Sequence, residues 1–554
     1  MTIKIYNSLL KWGIAICSVV LSMAACNKAA EDVPLETVSI TDVFNPKDSL
    51  GTQALKYLYD MYTSLPEGYN RVASGSTSYS DVLDAGSDDA IPSGAGHLVE
   101  YFSTGMIDAS NLPDNTWSAN YSLIRKANIF LQNIDVVPLS TVGLKDQWKG
   151  EARFLRAIAY FELIKRWGGV PLVGDKIFEV DEKITLSRNS YDDCVDYIVK
   201  QLDTVMTLVP TTYATAFYGR ITKGAAMALK AKTLLYAASP LHNAANDISK
   251  WTLASNASKA LIDSNIYALV SSYANVFSTR SNTEVILAYM AAPSYTLESL
   301  NGPVGSSRGD LGLTSPTQEL VDEFEMSNGK AITDPESGYS ASNPYTGRDP
   351  RLALTVFYNG LSWLSRTVQT YDGGIDRPQG YNKVTSGETR TGYYMRKMLS
   401  TSGSNTAYAN AEHCFPIIRY AEVLLDYAEA ENEVSGPTTA VYNAIQLIRQ
   451  RAGLSPYALT TGLTQAQMRE CIRHERRVEL AFEEQRFWDI RRWDIAKDVL
   501  NGTLHGMQIT LNSGAYTYNI VPAVTTFFDS RLNLYPIPFA EIAANPNLLQ
   551  NPNW

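Results

Sequence analysis

The sequence predicts a mainly α-helical fold: a tetratricopeptide-like scaffold of helical pairs with large irregular loop insertions and a few short strands. Three observations predict it. Apolar residues recur at helical spacing in two blocks, residues 50–265 and 415–497. Between them, from 293 to 411, that period disappears and Gly, Ser, Tyr, Asn and Asp take over. Finally, 45% of the 554 residues are apolar and the five cysteines form no even framework, so a large core rather than crosslinks must hold the chain.

In chain order, residues 1–25 read as a signal peptide. Lys4 and Lys11 form a positive start, and the apolar run 12–23 is shorter than the roughly 20 residues a spanning helix needs. It leads into Ala24-Ala25-Cys26, a lipobox pattern that makes Cys26 the expected lipidation site, with the thiol carrying the acyl chain. Residues 26–49 read as a polar tether, and its early Glu31-Asp32 pair resembles an acidic surface-export signal.

The first helical region, 50–292, contains WSANYSLIRKANIFLQNID and QWKGEARFLRAIAYFELIKRW, separated by a Pro-containing turn. Phe154, Ile158 and Phe161 fall on one helical face. A second pair spans 191–209 and 220–238, the latter rich in alanine, as close helix approach demands. In the C-terminal region, 293–554, the loop-rich insertion 293–411 precedes RYAEVLLDYAEAENE, where Ala421, Leu424, Leu425 and Ala428 recur at helical spacing. Pairs repeating at about 30–45 residues each bury a stripe on their neighbours. A second irregular stretch, 67–115, holds Tyr79, Asp84, Asp88, Asp89 and Tyr101.

Net charge is −10 and the pI near 5.2, which argues against a protein that tracks nucleic-acid phosphates. Neither C-x-x-C nor H-E-x-x-H is present, so no metal or redox site and no cofactor is expected. Glu475, Glu479 and Glu483 recur every four residues among Arg476, Arg477 and Arg486. Carboxylates on one helix face point the same way, whereas glycoside hydrolysis needs two that flank the bond. They read as a helix docked through salt bridges, with Phe482, Phe487 and Trp488 buried. Gly305-Ser306-Ser307-Arg308-Gly309 matches G-x-S-x-G but lacks the flanking strand and helix of a nucleophile elbow. No catalytic residue is expected.

Tyrosine is the outlying residue type: 33, more than Phe and Trp together. A flat apolar face with a hydroxyl suits either packing or a polar-ligand surface. Tyr121, Tyr160, Tyr236, Tyr420 and Tyr427 fall in expected helices and read as framework. Tyr339, Tyr345, Tyr371 and Tyr381 lie in the loops. The candidate ligand-binding residues are Tyr79, Asp88, Tyr101, Tyr295, Asn301, Arg308, Tyr358 and Trp363, all in irregular segments. Trp363 has a structural reading as well, since a short strand buries alternate residues.

GEARFLRAIAYFELIKRWGGVPL (150–172), SPTQELVDEFEM (315–326), GRDPRL (347–352), RYAEVLLDYAEAENE (419–433), ERRVELAFEEQRFWDIRRW (475–493) and LYPIPFAEIAANPNLLQNPNW (534–554) occur in this order. Together they resemble the SusD/RagB family of Bacteroidota outer-membrane lipoproteins. The resemblance implies a cell-surface, non-enzymatic protein that binds an oligosaccharide or polysaccharide and delivers it to a SusC-like TonB-dependent transporter. A peptide-binding uptake lipoprotein of RagB type, or a protein-binding tetratricopeptide-type scaffold, is the alternative. Family glycan sites map here to about 79–101 and 295–308; neither window holds a tryptophan, which favours a site of tyrosine and polar groups.

Overall fold

The computed structural model describes residues 39–75, 79–179, 181–381 and 388–554. The signal segment, Cys26 and the tether as far as residue 38 lie outside them. The last part of the expected tether is folded: Ser39 caps a short helix, Ile40–Val43, and Phe44 is buried against the rings of Tyr57 and Phe130. The packed body therefore begins before residue 49.

Six helices build the first block: α1 (Thr52–Tyr62), α2 (Trp117–Asn133), α3 (Leu144–Trp167), α4 (Tyr191–Leu208), α5 (Lys223–Ala238) and α6 (Ile248–Asp263). Ser190 starts α4 with a reciprocal capping box to Asp193, and Thr222 caps α5, so backbone donors are satisfied at both starts. Buried Gly224, Ala225, Ala226, Ala228 and Ala231 give α5 a thin surface, and α4 and α6 close on it. From α2 to α6 each helix packs on the next.

The array does not stop there. Helix α7 (Tyr420–Ser435) lies against α6, although residues 264–419 intervene in sequence, and α8 (Thr439–Ala452) and α9 (Gln465–Leu480) then pack on α7. The excursion is closed by one antiparallel pair, β1 (Val285–Met290) with β2 (Cys414–Arg419). Every residue of β2 is buried, and α7 begins directly after it. Just beyond the pair, Ser294 and Ala411 exchange both backbone hydrogen bonds, at 3.0 and 2.9 Å.

The expected charged helix ends after Leu480, where Phe482 and Glu484 adopt positive φ, and α10 (Gln485–Arg492) starts anew. Glu483 thus sits on a turn rather than on the helix. The three carboxylates are buried in ion pairs. Arg351, from the insertion, donates to Glu475 at 2.6 Å and to Glu479 at 2.9 Å. Arg419, ending β2, donates to Glu479 at 2.6 Å and to both Glu483 oxygens at 2.7 Å. Arg451 of α8 also pairs with Glu479, and Lys397 of the insertion donates to Glu483 at 2.7 Å. On the other side, Arg476 joins Asp426 of α7 to Asp489 of α10, both at 2.6 Å. Phe482, Phe487 and Trp488 are buried, as expected.

One sizeable element was not expected from the sequence: a hairpin of β3 (Gly502–Asn512) and β4 (Ala515–Thr526). Its two-residue turn, Ser513-Gly514, has φ of 51° and 83°, the mirror-type geometry that fits strand twist. β3 is pinned to the insertion by Met507 N–H donating to Thr391 O at 2.7 Å. A Cβ at Gly506 would lie 2.4 Å from Thr391 Cα, so only glycine permits this approach.

Burial pushes the Glu429 carboxyl up, but the Arg492 guanidinium, donating at 2.6 and 2.7 Å, more than reverses this and holds it at about 2, below its ordinary 4.5. A carboxyl depressed in the folded state stabilises fully above its unfolded value, and that stability is lost as pH falls through the folded one. Urea titrations should accordingly lose stability between pH 4.5 and about 2. Glu429→Gln is expected to cost about 3–5 kcal/mol at neutral pH and to flatten that acid dependence; an unaltered acid slope would assign the effect to other groups.

Candidate ligand-binding face

Tyr295 follows the closure of the insertion and immediately precedes a short helix, Thr296–Asn301. That helix is locked from beneath. Buried Glu298 accepts from Ser400 N–H at 2.7 Å and contacts His413 Nε2 at 2.7 Å. Buried Asn301 donates to Asn70 Oδ1 at 2.7 Å and accepts from the Thr314 hydroxyl at 2.9 Å. With the helix fixed, the Tyr295 ring is held outward, 50% exposed.

The Tyr295 ring is backed by Tyr408, near-parallel at 24° with centroids 6.3 Å apart. The Arg308 guanidinium lies 4.0 Å from the Tyr408 centroid, a cation–π contact. Arg308 also donates to Asp310 at 2.6 Å and to the Tyr408 hydroxyl at 2.9 Å, while that hydroxyl donates to Asp310 at 2.9 Å. Burial, then the Asp310 charge, raises the Tyr408 phenol, so it remains a donor at neutral pH. Gly302 permits the close packing: a Cβ there would lie 2.6 Å from the Tyr408 hydroxyl and 2.7 Å from Asp310. The result is an exposed ring whose backing ring is rigidly bonded to a guanidinium and a carboxylate. The Arg308 and Asp310 side chains are themselves buried, 5% and 1% exposed, so they brace the rings, and Tyr295 is the exposed member of the group.

The early loop reaches the same neighbourhood through the Asn70–Asn301 bond, and Asn70 also donates to Ser80 O at 3.0 Å. This docks the small hairpin Val72–Ala73/Ser80–Asp81, beside which Tyr79 is 44% exposed. Tyr295, Arg308 and the Tyr79 hairpin are thus associated. Tyr358 is elsewhere, half-buried and stacked on Tyr345 at 4.3 Å.

Four expected ligand residues are framework instead. Asp88 is buried, accepts two bonds from Arg486 at 2.8 and 2.7 Å, and lies 3.0 Å from Arg477, so its charge is neutralised inside the body. Asn301 is consumed by the bonds above. Tyr101 is half-buried against the core on the short helix Tyr101–Thr104. Trp363 is 2% exposed, edge-on to Phe357 at 4.9 Å, in a two-residue strand whose other residue, Ser362, faces out. Tyr408 and Asp310 were not singled out from the sequence. Tyr408 lies in GSNTAYANAEH, whose polar composition matches the other tyrosine loops, and Asp310 stands two residues from Arg308.

Two concavities are lined by neither Tyr295 nor Arg308, although Asp88 borders the second. An apolar groove of about 550 Å³ includes Trp117, Tyr121, Phe178, Ile184 and Leu548. A charged cleft of about 560 Å³ includes Glu319, Asp322, Glu323, Arg473 and His474. Within it, Glu319 is bound by His505 at 2.7 Å and Glu323 by Arg477 at 2.6 Å.

Comparison with known proteins accounts for most of the chain. A family model described as SusD family matches residues 284–554, and one described as starch-binding associating with outer membrane matches 57–235. A SusD-like protein of Formosa agariphila is 25% identical over 466 residues, covering 79% of this chain and 78% of its own. The crystal structure of a SusD-like protein from Bacteroides fragilis has TM-score 0.78 and 27% identity, covering 94% of this chain and 100% of that one. A second from the same species, described as a SusD-like carbohydrate binding protein, has TM-score 0.75 and 26% identity over 90% of this chain and 99% of its own.

Trp363→Ala should therefore act on stability: a loss of about 3–5 kcal/mol in urea unfolding. A variant as stable as the parent would return Trp363 to the ligand surface.

Proposed function

Because the chain belongs to the SusD/RagB family, we propose that it is a non-catalytic, cell-surface lipoprotein that binds an oligosaccharide or polysaccharide and passes it to a SusC-like TonB-dependent outer-membrane transporter. The observation that carries the binding reading is the outward Tyr295 ring on its Tyr408–Arg308–Asp310 support. Sugars present C–H faces that stack on the negative face of an aromatic ring, and a ring held rigidly outward is ready for that contact. The carbohydrate-binding description of the Bacteroides fragilis relative supports the same ligand class. Hydrolysis is disfavoured because the carboxylates of α9 are buried and neutralised by arginines.

Lipid anchoring at Cys26 would provide attachment, which the Ala24-Ala25-Cys26 lipobox supports; among the described residues no helix is long and apolar enough to cross a membrane. Localisation rests on the lipobox and on the outer-membrane association in the second family description.

Calorimetry and affinity electrophoresis against a panel of polysaccharides address binding directly. Tyr295→Ala should weaken the preferred glycan about ten-fold, the loss of one well-placed ring, with its melting temperature unchanged. No binding by the parent at millimolar concentration, or recovery of peptides alone from the purified protein, would discard the glycan reading. For the anchor, Cys26→Ser should abolish incorporation of labelled palmitate and release the protein from the membrane fraction; continued labelling would place the lipid elsewhere.

A further inference from the structure

The loop that joins α4 to α5 closes with β1 around a cavity that the Tyr295 platform does not share. Residues 210–219 of this loop, PTTYATAFYG, contain no Asp, Glu, Lys or Arg. The cavity measures about 260 Å³, the share of roughly nine liquid waters at ~30 Å³ each, which accommodates one sugar ring. Val285 to Ala288 of β1 line one part of it, and Tyr213, Phe217, Tyr218 and Tyr267 line another. Phe217 is 49% exposed.

Among the described lining residues, Arg220 is the one ionised side chain, and it is already neutralised. Buried Glu151 accepts from its Nε at 3.0 Å and its Nη2 at 2.7 Å, and from the hydroxyls of Tyr62 at 2.5 Å and Tyr213 at 3.2 Å. The guanidinium so held lies 5.4 Å from the Tyr213 centroid and 6.0 Å from that of Phe217. It also lies 5.7 Å from the ring of Tyr59, which is 41% exposed on α1. One buried ion pair thus braces three rings. Thr211 and Thr212, both exposed, add hydroxyls to the lining. Burial pushes the Tyr218 phenol up to about 12, so it remains a donor at neutral pH.

We propose that this cavity is a second carbohydrate subsite, which takes one ring of a neutral sugar chain. It rests on the glycan reading above. Aromatic rings stack on C–H faces, and the tyrosine and threonine hydroxyls match those of a sugar. A charged ring would shed its water here without gaining a counter-charge, because Glu151 already holds Arg220. Ala288 stands seven residues before Tyr295, at most about 23 Å along a chain extended at ~3.3 Å per residue. A polysaccharide has the reach to occupy both sites and gain avidity, whereas a single ring does not.

The test measures the full chain against soluble starch, laminarin and galactomannan, with polygalacturonate as the charged control. Phe217→Ala should bind the preferred neutral polysaccharide about ten-fold more weakly, with an unchanged melting temperature. Phe217→Tyr should behave as the parent. Thr212→Arg, at an exposed position, should weaken binding as Phe217→Ala does, by filling the cavity. If Phe217→Ala and Thr212→Arg both bind like the parent, the subsite falls, and the Tyr295 reading stands as long as Tyr295→Ala is impaired. If both are impaired and Tyr295→Ala is not, the subsite stands and the Tyr295 reading falls. Binding of polygalacturonate but of no neutral chain overturns the subsite alone, and absence of binding to all four overturns both. Loss of a co-purifying membrane protein from Phe217→Ala, with glycan affinity unchanged, also overturns the subsite, because the rings would then dock a protein.

Discussion

A single buried carboxylate, Glu479, holds the parts of this molecule in one arrangement. Three guanidinium groups converge on it: Arg351 from the insertion, Arg419 from the strand that ends the insertion, and Arg451 from α8. Burial alone would drive its carboxyl up; the arginines together hold it well below the usual carboxylate range. Such charges are tolerated in a low-dielectric interior only when every partner is in place. The ion pairs therefore act as a checkpoint on assembly, since α8, β2 and the insertion each supply a charge that the others need.

The same logic governs the candidate face around Tyr295. Its exposed groups are few, and what surrounds them is a dense set of bonds that leaves little freedom. Glu298 and Asn301 hold a helix too short to be stable on its own. Arg308 and Asp310 hold the backing ring. Preorganised rings spare a binding protein the entropy of ordering them when ligand arrives. Loops can be this rigid because they carry their own small core, Phe357, Trp363, Val368 and Tyr394.

Much of the scaffold is legible in the sequence because helical packing leaves a local trace. The stripe in α3, the alanines of α5 and the glutamate–arginine alternation of α9 are written within a few residues of one another. What escapes a linear reading depends on distant partners. Asp88 looks like an available carboxylate until Arg486, 398 residues away, closes on it. Trp363 looks like a platform until Phe357 and the loop core cover it. The β3–β4 hairpin leaves only a weak alternation, because Gly506 and the neighbouring residues of β3 are buried on both sides, and its turn is Ser-Gly rather than the more telling Asn-Gly. Tyr295 stands out in the sequence as a loop aromatic, yet Tyr408, which backs its ring, reads as one polar-loop residue among many.

The insertion leaves and re-enters the scaffold at adjacent points, with β1 and β2 paired and Ser294 joined to Ala411. The segment is nonetheless no appendage, since Leu320, Phe324, Val356 and Tyr393 within it belong to the main core. Charges of both signs knit it to the framework: Arg351 reaches Glu475 and Glu479 of α9, Lys397 reaches Glu483 on the following turn, and Glu323 and Glu325 accept Arg477 and Arg449.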